Sequence, residues 1–550
     1  MTERLQRHII VMQEDEHEGL LADNTGLVNV YGIKRGAQLS FKGENIKFAE
    51  NINPKEHVVL CDLKAGYPII ELGVIIGYAK NDLKAGTRLD PSPIGNMVHD
   101  INYSEVPHFC HLKKGPKVDS NLEKRTFAGY RRSGLFKRES AGIENKVGII
   151  NTVKCSEVAA NNIATLARKK ILPEFKNITD VISITHPFGC GMSPGPEKDE
   201  LIMLIRTILK NPNFGAFYVI GLGCEHICMR EGVEGSVLGE LQEDFPEFSN
   251  RIKFSSLQKW DDELNAINQI IYEDDLNSCF EYANKFCREE LPLSYLSIGL
   301  KCGGSDVWSC VVNAALGIAA DKIIHSGGSA IITEVPEMEG FLHVFAQRAR
   351  TQEIGEKIWK LTDDFARICK SYPIPSEGRQ VLSPAQYEGG LLNIFRKAAG
   401  ACLKAGNSDI VGILNYGESI YDQNESGLFI LEGPGYDPIA VTSLGISGSQ
   451  LSVFTTGLGT PLGSALGKVI KAGTYSGSTG LKNQLDILAD DVLCGDKTID
   501  QLGEELYGLI LDVASGRTVT AVEILNKKLK ENGLPNEHNE FMLWKRWGDH

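Results

Sequence analysis

The chain has 550 residues, 42% of them hydrophobic and 23% charged, and a formal net charge of -14. That balance belongs to a globular protein with more than one core and excludes a mainly disordered chain. The acidic excess, with no basic stripe carrying interleaved aromatics, argues against a nucleic-acid partner but leaves room for a locally basic pocket and a small anion.

No apolar run approaches the roughly 18–20 residues that cross a bilayer. The opening MTERLQRHIIVMQEDEHEG breaks into charge before a signal peptide can form. A cytoplasmic protein without a membrane partner is therefore expected, and a homo-oligomer is left open. Thirteen cysteines in such a chain read as thiols or metal ligands rather than disulfides.

In the first hundred residues, short β-prone runs (Leu27–Tyr31, His57–Cys61, Pro68–Ile70, Gly73–Gly77) alternate with glycine turns. Three similar turns recur: Ile33-Lys34-Arg35-Gly36, Leu63-Lys64-Ala65-Gly66 and Leu83-Lys84-Ala85-Gly86. The spacing predicts a small twisted β-domain over 20–97. Residues 98–124 are polar and without periodicity, which predicts a linker. From 125 onward, a buried strand, a glycine-containing loop and a helix repeat many times. Val147–Val153, Val181–Thr185, Phe217–Ile220, Leu296–Leu300, Ala330–Thr333, Ile410–Leu414, Leu428–Leu431 and Leu451–Thr455 are the strand runs. Helical stretches such as Ser156–Lys170, Asp199–Leu209 and Ile354–Cys369 lie between them. The alternation predicts an α/β body of mostly parallel sheets flanked by helices. A break near Ala398–Gly406 divides it into lobes at 125–397 and 398–550.

Chemistry-bearing residues collect where these strands end. Cys155, Cys190, Cys224 and Cys302 each follow a different predicted strand, and in such sheets the C-terminal strand ends form the ligand crevice. The flanks add His186 and Glu225 beside the thiols, and Lys301, Gly303, Gly304, Ser305 and Asp306 around Cys302. His, Cys, Glu and Asp bind divalent metals or move protons. Thr333-Glu334-Val335-Pro336-Glu337 and Glu432-Gly433-Pro434-Gly435-Tyr436-Asp437 place carboxylates after strands, where a helix cap is the commoner role. Thr455-Thr456-Gly457-Leu458-Gly459-Thr460 offers hydroxyls and backbone N–H groups to a polar ligand. Thiolates suit iron, but the long irregular spacings favour a single metal ion or a purely structural role over a four-cysteine iron–sulfur cluster.

Several of these motifs resemble the altronate and galactarate dehydratase family, across about 20–97 and 125–515. The densest are Asn151-Thr152-Val153-x-Cys155, Gly221-Leu222-Gly223-Cys224-Glu225, Cys302-Gly303-Gly304-Ser305-Asp306, Pro434-Gly435-Tyr436-Asp437-Pro438 and Phe454-Thr455-Thr456-Gly457. Leu60-Cys61-Asp62, Ile70-x-x-Gly73 and Ile75-Ile76-Gly77-Tyr78-Ala79 resemble its SAF domain, a β-clip-like fold. The resemblance implies dehydration of an aldonate or aldarate, with altronate favoured, to a 2-keto-3-deoxy acid, aided by Fe2+ or Mn2+. It makes His186 the first candidate for proton transfer, with Glu225 and Asp306 for metal or base work. Lys301 and Arg206 are candidates for the substrate carboxylate, and Gly303, Gly304, Ser305, Asp437, Thr455 and Thr456 for substrate binding. Cys155, Cys190, Cys224, Cys302 and His57 are the candidate metal ligands. The chain departs from the family where Lys55-Glu56-His57 replaces a Gly-His-Lys, Arg88-Leu89-Asp90 a His-Val-His, and Lys301 a Gln. A lyase for another 2-hydroxy acid such as sulfolactate, and a ligand-binding paralogue without turnover, are the alternatives.

Overall fold

The computed structural model describes residues 9–10, 23–72, 74–89, 94–95, 125–192, 195–227, 236–244, 248–273, 275–338, 341–371, 383–392, 394–476, 480–532 and 539–543. The expected linker at 98–124 lies outside them.

The N-terminal unit is β-rich. Its three recurring turns all put their glycine, Gly36, Gly66 or Gly86, at φ +83°, a conformation glycine adopts without steric cost. Two of the turns brace each other: Asp62 accepts from the backbone N of Ala85 and pairs with Lys84, while Asp82 accepts from that of Ala65 and pairs with Lys64. Ile9–Ile10, Thr25–Val28, His57–Val59 and Arg88–Leu89 form one antiparallel sheet, and Pro68–Glu71, Val74–Ala79 and Ile94–Gly95 another. The strand expected over Leu27–Tyr31 ends at Val28. Asn29 Oδ1 accepts from the backbone N of Tyr31 at 3.0 Å, a local bond that turns the chain.

Two parallel sheets build the body. The first contains β1 (Lys146–Asn151), β2 (Val181–Ile184), β3 (Phe214–Gly221) and β4 (Ile252–Ser256) in the order β2-β1-β3-β4. β1, β2 and β3 are buried at every position, as a sheet covered on both faces requires. On one face α1 (Glu157–Lys170) buries the helical stripe Ala160, Ile163, Ala164 and Ala167 against Val147, Ile149 and Tyr218. On the other, Leu204, Ile205 and Ile208 of α2 (Pro196–Leu209) meet Ile150, Phe217 and Val219.

The second sheet has seven strands: β5 (Ser297–Cys302), β6 (Ser329–Ile332), β7 (Ile410–Leu414), β8 (Leu428–Leu431), β9 (Leu451–Thr456), β10 (Lys468–Gly473) and β11 (Ile487–Leu488). Their order is β7-β8-β6-β5-β9-β10-β11. Ala398 sits in α4 (Ile394–Leu403), and strands on either side of it in sequence belong to this one sheet. The core that holds Phe217 and Val219 also holds Ile331, Phe429 and Leu431, so the two sheets share an apolar interior.

α3 (Val307–His325) crosses the second sheet between α4 and α6 (Ile499–Ala514). Its 19 residues are long and apolar enough to cross a membrane, which corrects the expectation that no run would be. The physical reason is its position: 83% of its apolar window is buried inside the protein, as for a helix surrounded by neighbours. From β5 the chain passes through α3 to β6 on one side. β9, on the other side of β5, is reached from β8 through α5 (Asp437–Ile446). The sheet order therefore reverses between β5 and β9, which is where an open α/β sheet presents its ligand crevice.

Candidate active site

Beyond the C-terminal ends of β5, β6 and β8, six ionisable groups and a thiol meet. Glu334 lies two residues past β6 at φ +74°, a region that non-glycine residues seldom occupy and that tends to be retained at functional sites. One of its oxygens takes the Lys301 ammonium and the other accepts from Lys404 Nζ at 2.7 Å. Lys301 Nζ also donates to the carbonyls of Cys302 (2.8 Å) and Gly435 (3.1 Å) and pairs with Asp437 Oδ1 at 2.7 Å. Lys404 Nζ reaches Cys302 Sγ at 3.2 Å, and Glu337 pairs with Lys397 at 3.2 Å. Lys301, Lys404 and Glu334 are fully buried, but Asp437 keeps 35% of its side chain exposed, and there the cluster opens to solvent.

Mutual pairing decides the charge states. Burial disfavours the charged form of Glu334, yet Lys301 and Lys404 outweigh it and hold its carboxyl below the ordinary range. Burial likewise disfavours both ammonium groups, but Glu334 and Asp437 beside Lys301, and Cys302 and Glu334 beside Lys404, keep them charged above the usual lysine range. Burial, with Glu334 adjacent, pushes the Cys302 thiol up to about 11 and raises Glu337 as well.

The surrounding loops are shaped for this cluster. A Cβ at Gly303 would stand 2.5 Å from Asp437 Oδ2, so a glycine is what allows that carboxylate to approach. Asp306 caps α3, accepting from the backbone N of Ser309 at 2.8 Å, and its other oxygen takes Lys55 from the N-terminal unit at 3.1 Å. Burial raises its pKa against the pull of Lys55. Thr455, opposite Cys302 in the sheet, donates to Asn313 Oδ1 at 2.5 Å, and Thr456 Oγ1 accepts from the backbone N of Gly459 at 2.9 Å. Ser305 is buried in the same loop.

Cys302, Glu334 and Glu337 could hold a metal ion, since one ligand atom from each lies within 4.8 Å of the others. The donor set fits a divalent cation on charge. With Cys302 ionised, one thiolate and the carboxylates of Glu334, Glu337 and Asp437 face the ammonium groups of Lys301, Lys404 and Lys397. A divalent ion leaves a single positive charge that an anionic ligand neutralises. The ion must displace the thiol proton, so its binding would release acid.

The remaining sequence candidates fall elsewhere. His186 is buried between Phe188 and Phe541, with ring centroids 5.7 and 5.2 Å away. Its Nδ1 accepts from the backbone N of Phe188 at 3.2 Å, and burial lowers its pKa to about 4, so it is a neutral imidazole beside β2. Glu225 accepts from Thr152 Oγ1 (2.7 Å) and the backbone N of Gly223 (2.6 Å). Arg206, on α2, pairs with Glu240. His57 is buried, with Nδ1 2.5 Å from Glu71 Oε2 and Nε2 3.1 Å from the Gly390 carbonyl. Both ring nitrogens face acceptors, so the expected metal-ligand role has no lone pair to use. The four cysteines do not form one set. Cys155, Cys190 and Cys224 are exposed at the edge of the first sheet, whereas Cys302 is buried in the second among Glu334, Glu337 and Lys404. A cleft of about 1010 Å³ lies away from these groups; several of its cations are paired, Lys146 with Glu144, Arg168 and Lys530 with Asp180, and Lys468 with Glu523, and Arg288, Lys527 and Lys528 also line it.

Sequence reasoning missed Lys404 altogether and favoured a helix cap over a functional role for Glu334 and Glu337. A lone lysine at the end of an apolar helix reads as a cap, and its one signal is the wholly apolar run before it.

Comparison with known proteins agrees with this layout. Residues 293–548 match the D-galactarate/Altronate dehydratase C-terminal domain, 129–273 the D-galactarate dehydratase/Altronate hydrolase second domain, and 21–95 the Altronate/galactarate dehydratase SAF domain. An altronate dehydratase of Bacillus subtilis is 31% identical over 90% of this chain and 94% of its own length. The galactarate dehydratase (L-threo-forming) of Escherichia coli is 31% identical over 90% and 92%. The (2R)-sulfolactate sulfo-lyase subunit beta of Chromohalobacter salexigens is 25% identical over 73% and 95%.

Proposed function

The chain belongs to the D-galactarate/altronate dehydratase family, and on that premise we propose that it is a hydro-lyase. Its substrate is an aldonate or aldarate, altronate first and galactarate next, and its product a 2-keto-3-deoxy acid. The observation that carries this reading is the half-exposed Asp437 carboxylate held on a buried ammonium at the sheet's reversal point. Dehydration of a 2,3-dihydroxy acid needs a base for the C2 proton and positive charge for the carboxylate that gains electron density.

Asp437 takes the C2 proton. Lys301 holds that carboxylate in place through its 2.7 Å contact and supplies positive charge behind it. Gly303 keeps the approach open, and the Thr455–Thr456 and Gly303–Ser305 loops flank the hydroxyl-bearing carbons. A divalent ion on Cys302, Glu334 and Glu337, Fe2+ or Mn2+, supplies Lewis acidity for the departing hydroxyl when bound. The enol product then takes a proton at C3 and becomes the keto acid.

The test is turnover of a panel of aldonates, aldarates and sulfolactate by protein prepared without oxygen and supplied with Fe2+ or Mn2+. Release of 2-keto acid from an aldonate or aldarate is the expected result. Sulfite from sulfolactate alone would replace the substrate assignment, and no turnover of any member would sink the enzyme reading.

A further inference from the structure

The first sheet carries a second constellation that the proposed dehydration does not use. β2, β1 and β3 are adjacent and parallel, so their C-terminal ends open on one edge about 4.8 Å apart from strand to strand. Cys190, Cys155 and Cys224 follow these three strands in that spatial order, and all three are free, exposed thiols. The loops that carry them are tied together. Lys154, next to Cys155, donates its backbone N to the carbonyl of Phe188 at 2.8 Å, two residues before Cys190. Asn151 and His186 exchange hydrogen bonds of 3.0 and 3.3 Å between the same two loops. Thr152 Oγ1 donates to Glu225, next to Cys224, at 2.7 Å, and Ser156 Oγ to the carbonyl of Ile220 at 2.9 Å. Around Cys190, ideal Cβ positions on Gly189 and Gly191 meet nothing within 4 Å, so the thiol stands in open space.

We propose that Cys155, Cys190 and Cys224 are the three thiolate ligands of a cubane iron–sulfur cluster. Spacing weighs against a single ion. Three thiolates on one tetrahedral zinc ion, with Zn–S bonds of about 2.3 Å, stand about 3.8 Å apart. These three sulfur atoms do not all lie within 4.8 Å of one another. A cluster, several ångströms across, spans neighbouring strand ends where one ion does not. Three thiolates satisfy three of its irons and leave the fourth facing solvent. Assembly of the four-iron form needs no outside oxidant when two ferric and two ferrous ions combine with four sulfides. Each cysteine gives up one proton to solvent as its Fe–S bond forms.

The experiment is anaerobic reconstitution of the full chain with equimolar ferric and ferrous iron and sulfide, followed by desalting and assay of bound iron and acid-labile sulfide. The wild type should hold about four sulfide per chain, and three to four iron beyond the single iron that the triple serine variant keeps at Cys302, with a brown visible absorption. Cys155→Ser, Cys190→Ser and Cys224→Ser should each lower bound sulfide at least about fivefold. Cys61→Ser, an exposed thiol of the N-terminal unit, should match the wild type. Melting curves of each apo-variant establish that the exposed serines leave the fold intact. Sulfide binding that survives the triple serine variant would overturn the proposal, as would a single iron or zinc without sulfide that the triple variant loses, or no sulfide bound by the wild type. Because the readout is composition rather than turnover, the result stands apart from the dehydratase reading.

Discussion

Gly303 has no side chain because Asp437 fills the space where one would sit. Gly303→Ala should push that carboxylate off Lys301 and lower kcat about 100-fold, since a shift of about 1 Å in a reacting group costs that much. Melting temperature should fall only by what about 1–3 kcal/mol of overpacking causes. Steady-state kinetics beside a thermal melt separates the two effects, and an unchanged kcat would contradict the placement. His186 makes the opposite kind of prediction, about stability alone. Its pKa is lowered from 6.5 to about 4 by burial, so between those values the unfolded chain binds a proton that the folded chain refuses. Its contribution, up to about 3 kcal/mol, is complete above about pH 6.5 and is lost as pH falls toward about 4. Urea midpoints at about pH 7.5 and about pH 5 should diverge for the wild type more than for His186→Phe, and equal divergence would contradict this. At this scale the sequence singled out Lys301, Cys302 and Asp437, each following a strand within a dense motif, although it read Asp437 as a substrate-binding group and not as the base. Nothing local to His186 shows that Phe541, from the far end of the chain, packs over its ring.

The N-terminal unit is fastened to the body by a buried ion network rather than by apolar contact alone. Glu71, at the end of the strand Pro68–Glu71, pairs with Arg396 of α4 at 2.6 Å and with His57 at 2.5 Å, all three with fully buried side chains. Burial would raise the Glu71 carboxyl, but Arg396 and His57 reverse the effect and bring it from 4.5 down to about 2. The sign follows directly: the folded pKa is depressed, so the latch contributes fully above about pH 4.5 and fails as pH drops toward about 2. Glu71→Gln leaves a buried guanidinium without its counter-charge and should cost about 3–5 kcal/mol. The check is limited proteolysis with a chemical melt, which should show the N-terminal unit released first. Resistance equal to the wild type would contradict the latch. The elements themselves were largely legible. The predicted helix Ser156–Lys170 is found at Glu157–Lys170, and Asp199–Leu209 at Pro196–Leu209, begun early by a proline suited to a helix start. The latch was not legible, because a Glu in a β-run and an Arg in a distant helix carry no sign of each other.

For the molecule as a whole, strand order was the hidden quantity. Apolar runs reveal that strands exist, but neighbours in a parallel sheet are set by crossovers, and β5 lies between β6 and β9 although β7 and β8 intervene in sequence. The same blindness joined four cysteines into one expected set, when two separate sheets divide them into three and one. It also hid Lys404, whose role exists only because α4 returns its end to β5 and β6. The fold thus yields two chemically distinct strand edges: an acid–ammonium cluster with Cys302 on the seven-stranded sheet, and three exposed thiols on the four-stranded one. The claim on which the account turns is that Asp437 is the base for water removal. The direct measurement is kcat of Asp437→Asn on the best aldonate or aldarate of the panel, beside its melting temperature. The account predicts a fall of at least about 100-fold with the melt within a few degrees of the wild type, and a kcat within about threefold of the wild type would contradict it.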